Sequence, residues 1–171
     1  NAAVALAALE ACARSLPIDP ASARAGLRAA RWPGRLEVVA RGPDVVLDGA
    51  HNPDAVAALV DSFHALWPGR RPQIVFGVLG DKVREAMMEA LLPVAAAVHV
   101  CAPSSERAVP VEVLAAEARG HARTVRAHPS VEAAIAAART EAGPEGVVLV
   151  CGSLVLVGEA RRLLCGDAPA I

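Results

Sequence analysis

Three short stretches of this 171-residue chain gather side chains that could do chemistry. Val46-Leu47-Asp48-Gly49-Ala50-His51-Asn52-Pro53 ends an apolar run with a carboxylate, an imidazole and a carboxamide in close succession. A carboxylate at a strand tip can accept from ribose hydroxyls or hold a cation, and a histidine beside a helix N-terminus can donate to an anion. Gly80-Asp81-Lys82 carries the only lysine among the 17 Lys and Arg residues. A cation in the first turn of a helix opposes the helix dipole, so Lys82 makes sense there as a point charge facing a bound anion. Cys151-Gly152-Ser153-Leu154 offers a hydroxyl and backbone N–H groups suited to a carboxylate or phosphate.

Each stretch has a plainer reading as a strand-to-helix turn. Gly49 permits an unusual backbone angle, Asn52 caps a helix and Pro53 fills its first turn. Asp81 and Ser153 are N-caps in the same way, with Lys82 solvated. Capping accounts for Asn52 and Ser153 but leaves Asp48 and His51 without a structural task, which favours a chemical one. The other histidines, His64, His99, His121 and His128, have no metal-ligand spacing. His99 is placed in a strand and the rest on the surface. The groups Glu112, Glu117, Arg119 and Glu132, Arg139, Glu141 read as solvated helix faces.

The totals restrict the function class. A net charge of -1 with 2% aromatic residues argues against nucleic-acid binding by a basic stripe or a stacking platform. No apolar run approaches the ~20 residues of a membrane span, and no signal peptide is visible, so a cytoplasmic protein is expected. Asn1 in place of a Met suggests a fragment or a processed chain. Cys12, Cys101, Cys151 and Cys165 form no C-x-x-C pair and read as small hydrophobes of a reduced core.

The elements that must position these groups follow from period and punctuation. An alanine-rich helix over 1–14 and a second over about 20–30, behind Asp19-Pro20, precede a turn at Arg31-Trp32-Pro33-Gly34-Arg35. Strands are then predicted at 36–40, 45–47, 73–78, 95–101, 123–126 and 146–151, and helices at 54–66, 85–92, 111–118, 130–141 and 154–164. Strands such as GVVLVC are apolar on consecutive residues, as happens when helices cover both faces. The expected fold is α/β, a mostly parallel sheet of about six strands, preceded by a short helical segment. In such sheets ligands bind at the carboxyl ends of strands, where all three clusters fall. No G-x-x-x-x-G-K-[ST] or G-x-G-x-x-G loop is present, so a triphosphate cradle must come from elsewhere.

WPGRLEVV, VVLDGAHNPDAVAAL, IVFGVLGDK and VLVCGSLVLVGEAR, in this order and spacing, resemble the C-terminal part of the folylpolyglutamate synthase and dihydrofolate synthase family, within the Mur ligases. The resemblance runs from about residue 31 to 165, with Asp81-Lys82-Val83 where the family often reads DKD. It implies a Rossmann-like glutamate ligase domain at 31–171, with 1–30 as the helical end of a preceding ATPase domain and its linker. It further implies an ATP-dependent amide ligase that adds L-glutamate to dihydropteroate or folates through an acyl phosphate. Asp48 and Asn52 would then serve the nucleotide, and His51, Lys82 and Ser153 the glutamate, with His51 and Lys82 as catalytic residues. ATP and Mg2+ would be bound mainly by the ATPase domain, and the isolated fragment is expected to be an inactive monomer. Another Mur-type ligase acting on a cell-wall precursor, or a non-catalytic binding module of the same fold, are the competing readings.

Overall fold

The computed structural model describes residues 2–12, 15, 18–80 and 83–166. The chain divides into two compact units, one within residues 1–32 and the other from Pro33 onward. The first contains helices α1 (Ala2–Ala11) and α2 (Pro20–Ala29). Asp19 caps α2, its carboxylate accepting from the N–H groups of Ala21 and Ser22.

The second unit is built on a six-stranded sheet of order β1-β2-β6-β3-β4-β5. Its strands are β1 (Glu37–Ala40), β2 (Asp44–Leu47), β3 (Gln73–Phe76), β4 (Ala97–Val100), β5 (Val125–Ala127) and β6 (Val147–Cys151). All pairings are parallel except that of β1 with β2, which closes one edge as an antiparallel pair. Helices α3 (Pro53–Leu66), α4 (Arg84–Leu91), α5 (Val111–Ala118), α6 (Val131–Ala142) and α7 (Leu154–Cys165) connect or follow the strands.

Alternation along each strand sorts the core into two layers. Val46, Ile74, Phe76, Leu149 and Cys151 face the layer of α3, α4 and α5, with Phe63, Met87, Met88 and Leu114 buried among them. Val45, Leu47, Val75, Val148 and Val150 face the layer of α6 and α7, against Val131, Ile135, Leu156 and Ala160. With both faces covered, the central strands carry no polar alternation. The strand ends shift by a residue or two from their predicted bounds. No described helix is long and apolar enough to cross a membrane.

The packing keeps His99 in a strand, as expected, and gives several residues assigned to the surface partners there. His99 is fully buried on β4, with Nδ1 3.0 Å from Nε2 of His128 and Nε2 3.1 Å from Oε1 of Gln73. Arg126 Nε lies 2.7 Å from Glu141, whose other oxygen stands 3.9 Å from His99. Half-buried His128 and exposed Glu141 therefore form the outer rim of a polar cluster centred on buried His99 and Gln73, brought together because α6 crosses the face that carries His99. His121 meets Glu85 at 3.1 Å, and Arg84 grips Glu117 with two hydrogen bonds of 2.6 and 2.7 Å. The Arg84 guanidinium holds the Glu117 carboxyl below the usual carboxylate range. Of the cysteines, only Cys101 and Cys151 are core residues; Cys12 is exposed and Cys165 half-buried, and all four are free thiols.

Candidate functional site at the strand tips

The topology brings the tips of β2, β6 and β3 side by side. The helix after β2 covers one face, the helix after β6 the other, and the helix after β3 the first again. Chains leaving neighbouring strands in opposite directions open a crevice at the carboxyl edge, the usual ligand position in open α/β sheets. The β2 and β6 tips are also joined directly. Gly152 N–H donates to the Ala50 carbonyl at 3.1 Å, and Asp48 N–H to the Val150 carbonyl at 3.0 Å.

Asp48 is half-buried and each of its carboxylate oxygens takes one backbone N–H. Oδ2 accepts from Leu36 at 2.9 Å and Oδ1 from Ala50 at 2.9 Å. Leu36 has a φ of 44°, unfavourable for a branched side chain, and the Asp48 bond helps to hold it there. Asp48 thus has the structural task that the sequence did not disclose. His51 donates from Nδ1 to the Gly49 carbonyl at 2.7 Å. Asn52 is the N-cap of α3, its Oδ1 accepting from Ala55 N–H at 2.8 Å.

Ser153 is the N-cap of α7 and its Oγ accepts from Leu156 N–H at 3.1 Å. It is only 1% exposed. Its hydroxyl proton remains available to a neighbour, but the side chain lies beneath the surface of the tip rather than on it. Gly152 has a φ of 116°, and a β-carbon there would stand 2.8 Å from the Gly77 carbonyl oxygen. Gly49 needs no unusual backbone angle, contrary to expectation. A β-carbon on it would instead meet the Leu154 side chain at 2.5 Å. Asp81 and Lys82 lie outside the described residues; α4 takes Val83 at its N-cap, without a side-chain hydrogen bond.

The sequence reading missed Glu37, Arg161 and Glu159. Glu37 accepts from Gly34 N–H at 2.7 Å and from Arg161 Nε at 3.2 Å, tying the PGRLE turn to α7. Gly34 in turn accepts from Gly49 N–H at 2.7 Å. Glu159 accepts from Ser104 N–H at 2.8 Å and holds the loop after β4 against α7. Their signal was present in the sequence, since these residues lie inside the quoted motifs.

Burial pushes the Cys151 thiol up, with the Asp48 charge adding to it. Cys101 is pushed up to about 12 by burial and then by Glu159. Both stay protonated and unreactive at neutral pH. Among the described residues no group of three or more His, Cys, Asp or Glu could hold a metal ion.

Comparison with known proteins agrees with this architecture. The family model described as Mur ligase, glutamate ligase domain, matches residues 34–154. A probable bifunctional folylpolyglutamate synthase/dihydropteroate synthase of Halobacterium salinarum is 48% identical over 145 residues, covering 84% of this chain and 17% of that protein. The Mycobacterium tuberculosis folylpolyglutamate synthase complexed with ADP and AMPPCP superposes with a TM-score of 0.82 at 34% identity, over 89% of this chain and 36% of that one. The Yersinia pestis bifunctional folylpolyglutamate synthase/dihydrofolate synthase complexed with AMPPNP and Mn ion gives 0.76 at 33% identity, over 87% and 35%. The chain spans about a sixth of the first relative's length and about a third of each of the other two. With its sheet order, its interlocked strand tips and a family match across most of the parallel core, this chain belongs to the Mur ligase glutamate ligase domain family.

Proposed function

We propose that this domain is the glutamate-accepting part of an ATP-dependent amide ligase that extends dihydropteroate or folates. The observation that carries the reading is the union of the β2 and β6 tips through the Gly152–Ala50 hydrogen bond. It ties together the two turns that carry Asp48, His51 and Ser153, in a chain whose relatives are named folylpolyglutamate and dihydrofolate synthases. Residues 1–30 are the end of a preceding ATPase domain and its linker, and the ligase domain follows from 31.

In this reading Asp48 and Asn52 lie toward the nucleotide ribose, and His51, Lys82 and Ser153 toward L-glutamate. Lys82 supplies a positive charge for a glutamate carboxylate. Ser153, being buried, orients the first turn of α7, so that its contribution to a carboxylate is made from below. His51 accepts a proton from the glutamate amine as that amine attacks the activated substrate carboxyl. ATP supplies that activation as an acyl phosphate. The triphosphate and its magnesium belong to the ATPase domain, since the sequence has no phosphate loop and its described residues hold no metal-ligand cluster. The domain acts in the cytoplasm as part of a monomer and does not turn over alone.

Titration of the chain with L-glutamate and ADP, followed by amide chemical shifts, tests this. Weak shifts gathered at the β2 and β6 tips are expected, and loss of them in Asp48→Ala, His51→Ala, Lys82→Ala and Ser153→Ala variants. If the same tips stay silent in the full-length enzyme, the reading is wrong. ATP-dependent glutamate addition by the 171 residues alone would refute the need for a partner domain.

A further inference from the structure

We infer that Asp48 is a positioning residue for His51, acting through the Gly49–Ala50 peptide group to keep the imidazole protonated on Nδ1 and its Nε2 open to a ligand. The inference rests on His51 serving the site proposed above. Its evidence is a continuous path of hydrogen bonds. Asp48 Oδ1 accepts from Ala50 N–H at 2.9 Å, and the Gly49 carbonyl accepts from His51 Nδ1–H at 2.7 Å. The Ala50 N–H and the Gly49 carbonyl are the two ends of one peptide group, whose C–N bond is partly double. A carboxylate on the N–H end draws charge through that group and makes the carbonyl a stronger acceptor.

The result is a carboxylate–histidine pair with a peptide inserted between its members. In the direct form of such a pair, the partner of one ring nitrogen decides which nitrogen carries the proton. The same logic holds here, because a carbonyl oxygen has no proton to give and the 2.7 Å contact requires one on Nδ1. Neutral His51 therefore carries a bare lone pair at Nε2. That nitrogen is a proton acceptor for an amine, not a donor to a carboxylate.

The carboxylate is fixed at both oxygens. Oδ2 takes the N–H of Leu36 at 2.9 Å, and the Gly49 N–H is held by the Gly34 carbonyl at 2.7 Å. The peptide group between Asp48 and His51 is thus clamped on either side. An asparagine at 48 has one oxygen to meet two N–H donors, so its NH2 must oppose either Leu36 or Ala50. Opposing Ala50, it removes the acceptor from the peptide group; opposing Leu36, it leaves Ala50 a neutral and weaker acceptor, so either way the Gly49 carbonyl is less polarised.

The test is imidazole 15N NMR of the chain at alkaline pH, with the His51 signals assigned by a His51→Gln variant. In the wild type, neutral His51 is expected as the Nδ1–H tautomer. Scalar couplings across the His51–Gly49 and Ala50–Asp48 hydrogen bonds are expected as well. In Asp48→Asn the Gly49 carbonyl becomes a weaker acceptor, so the coupling across the His51–Gly49 bond should shrink and the Nδ1–H population should fall, while the His99 and His128 signals stay in place. An Nε2–H tautomer in the wild type, or missing couplings, overturns the inference even if the variant fails to fold. So does a folded Asp48→Asn protein in which both the His51–Gly49 coupling and the tautomer population are unchanged. If the tautomer and couplings are as expected but L-glutamate and ADP leave His51 unmoved in the full-length enzyme, the relay stands and the ligand role of His51 falls.

Discussion

At the tips of β2 and β6, polar side chains bond mainly to backbone: Asp48 to Leu36 and Ala50, His51 to Gly49, Asn52 to Ala55 and Glu37 to Gly34. Beneath α6, by contrast, His99 bonds to the side chains of both His128 and Gln73, with Arg126 and Glu141 alongside. A side chain that satisfies the backbone of its own turn must keep its spacing to that turn, so the first region leaves short contiguous motifs in the sequence. The second collects side chains from β3, β4, β5, the loop after β5 and α6. Each has freedom of spacing relative to the others, and no motif results. Polar clusters inside one domain can therefore differ completely in legibility while obeying the same rule that buried polar groups find partners.

The largest effect separating the two regions is steric. Gly152→Val puts a branched side chain at a φ of 116° against the Gly77 carbonyl oxygen and Phe76. Strain and overpacking together should cost roughly 4 kcal/mol in chemical denaturation. A loss under about 1 kcal/mol would mean that the tip tolerates expansion and is not tightly built.

The histidine cluster should respond to acid instead. Burial lowers the His99 pKa to about 4, against a smaller opposing effect of Glu141, with His128 and Arg126 lowering it further. His128 is also lowered by burial. Because the unfolded chain binds these protons more readily, stability is fully present above the ordinary histidine pKa of about 6.5 and falls as pH drops from there toward 4. The His99 shift alone corresponds to a loss on the order of 3 kcal/mol. Urea midpoints between pH 7 and pH 4 should show it, and a His99→Leu, His128→Leu double variant should flatten that part of the profile. A slope unaffected by the double variant would assign the acid sensitivity to other groups.

Smaller effects grade the motif region itself. Glu37→Gln weakens the tie to Arg161 and to Gly34 N–H, at a cost of about 1 kcal/mol after solvent screening. Asn52→Ala removes the cap of α3 for about 1 kcal/mol, and Arg41→Ala breaks a surface pair with Asp44 for under about 0.5 kcal/mol. Thermal unfolding of the three variants checks the ranking. Should Arg41→Ala prove the most costly, backbone anchoring would not be what stabilises the tips.

Much of the fold was legible before any coordinates. The consecutive apolar residues of IVF in β3 and VVLVC in β6 announced a sheet covered on both faces, and Asn52-Pro53, Ser130 and Ser153 marked helix starts that the structure keeps. Surface assignments missed partners that long-range packing supplied: half-buried Glu117 pairs with Arg84, and Glu141, though exposed as expected, pairs with Arg126. At the site, Asp48 and His51 stood out because capping left them idle. Yet the sequence did not reveal that Asp48 grips Leu36, twelve residues back, because β1 and β2 had to pair antiparallel before those groups could meet.

By itself the sequence determined the alternation of strands and helices, the caps and the presence of polar groups at strand ends. These depend on neighbours within a few residues, where propensity and hydrogen bonding act before the chain is folded. Only the tertiary structure decided that β6 would enter between β2 and β3, that Ser153 would lie beneath the surface and that His99 would be sealed against His128. Those outcomes depend on groups far apart in the chain, which meet only when the two helical layers close over the sheet.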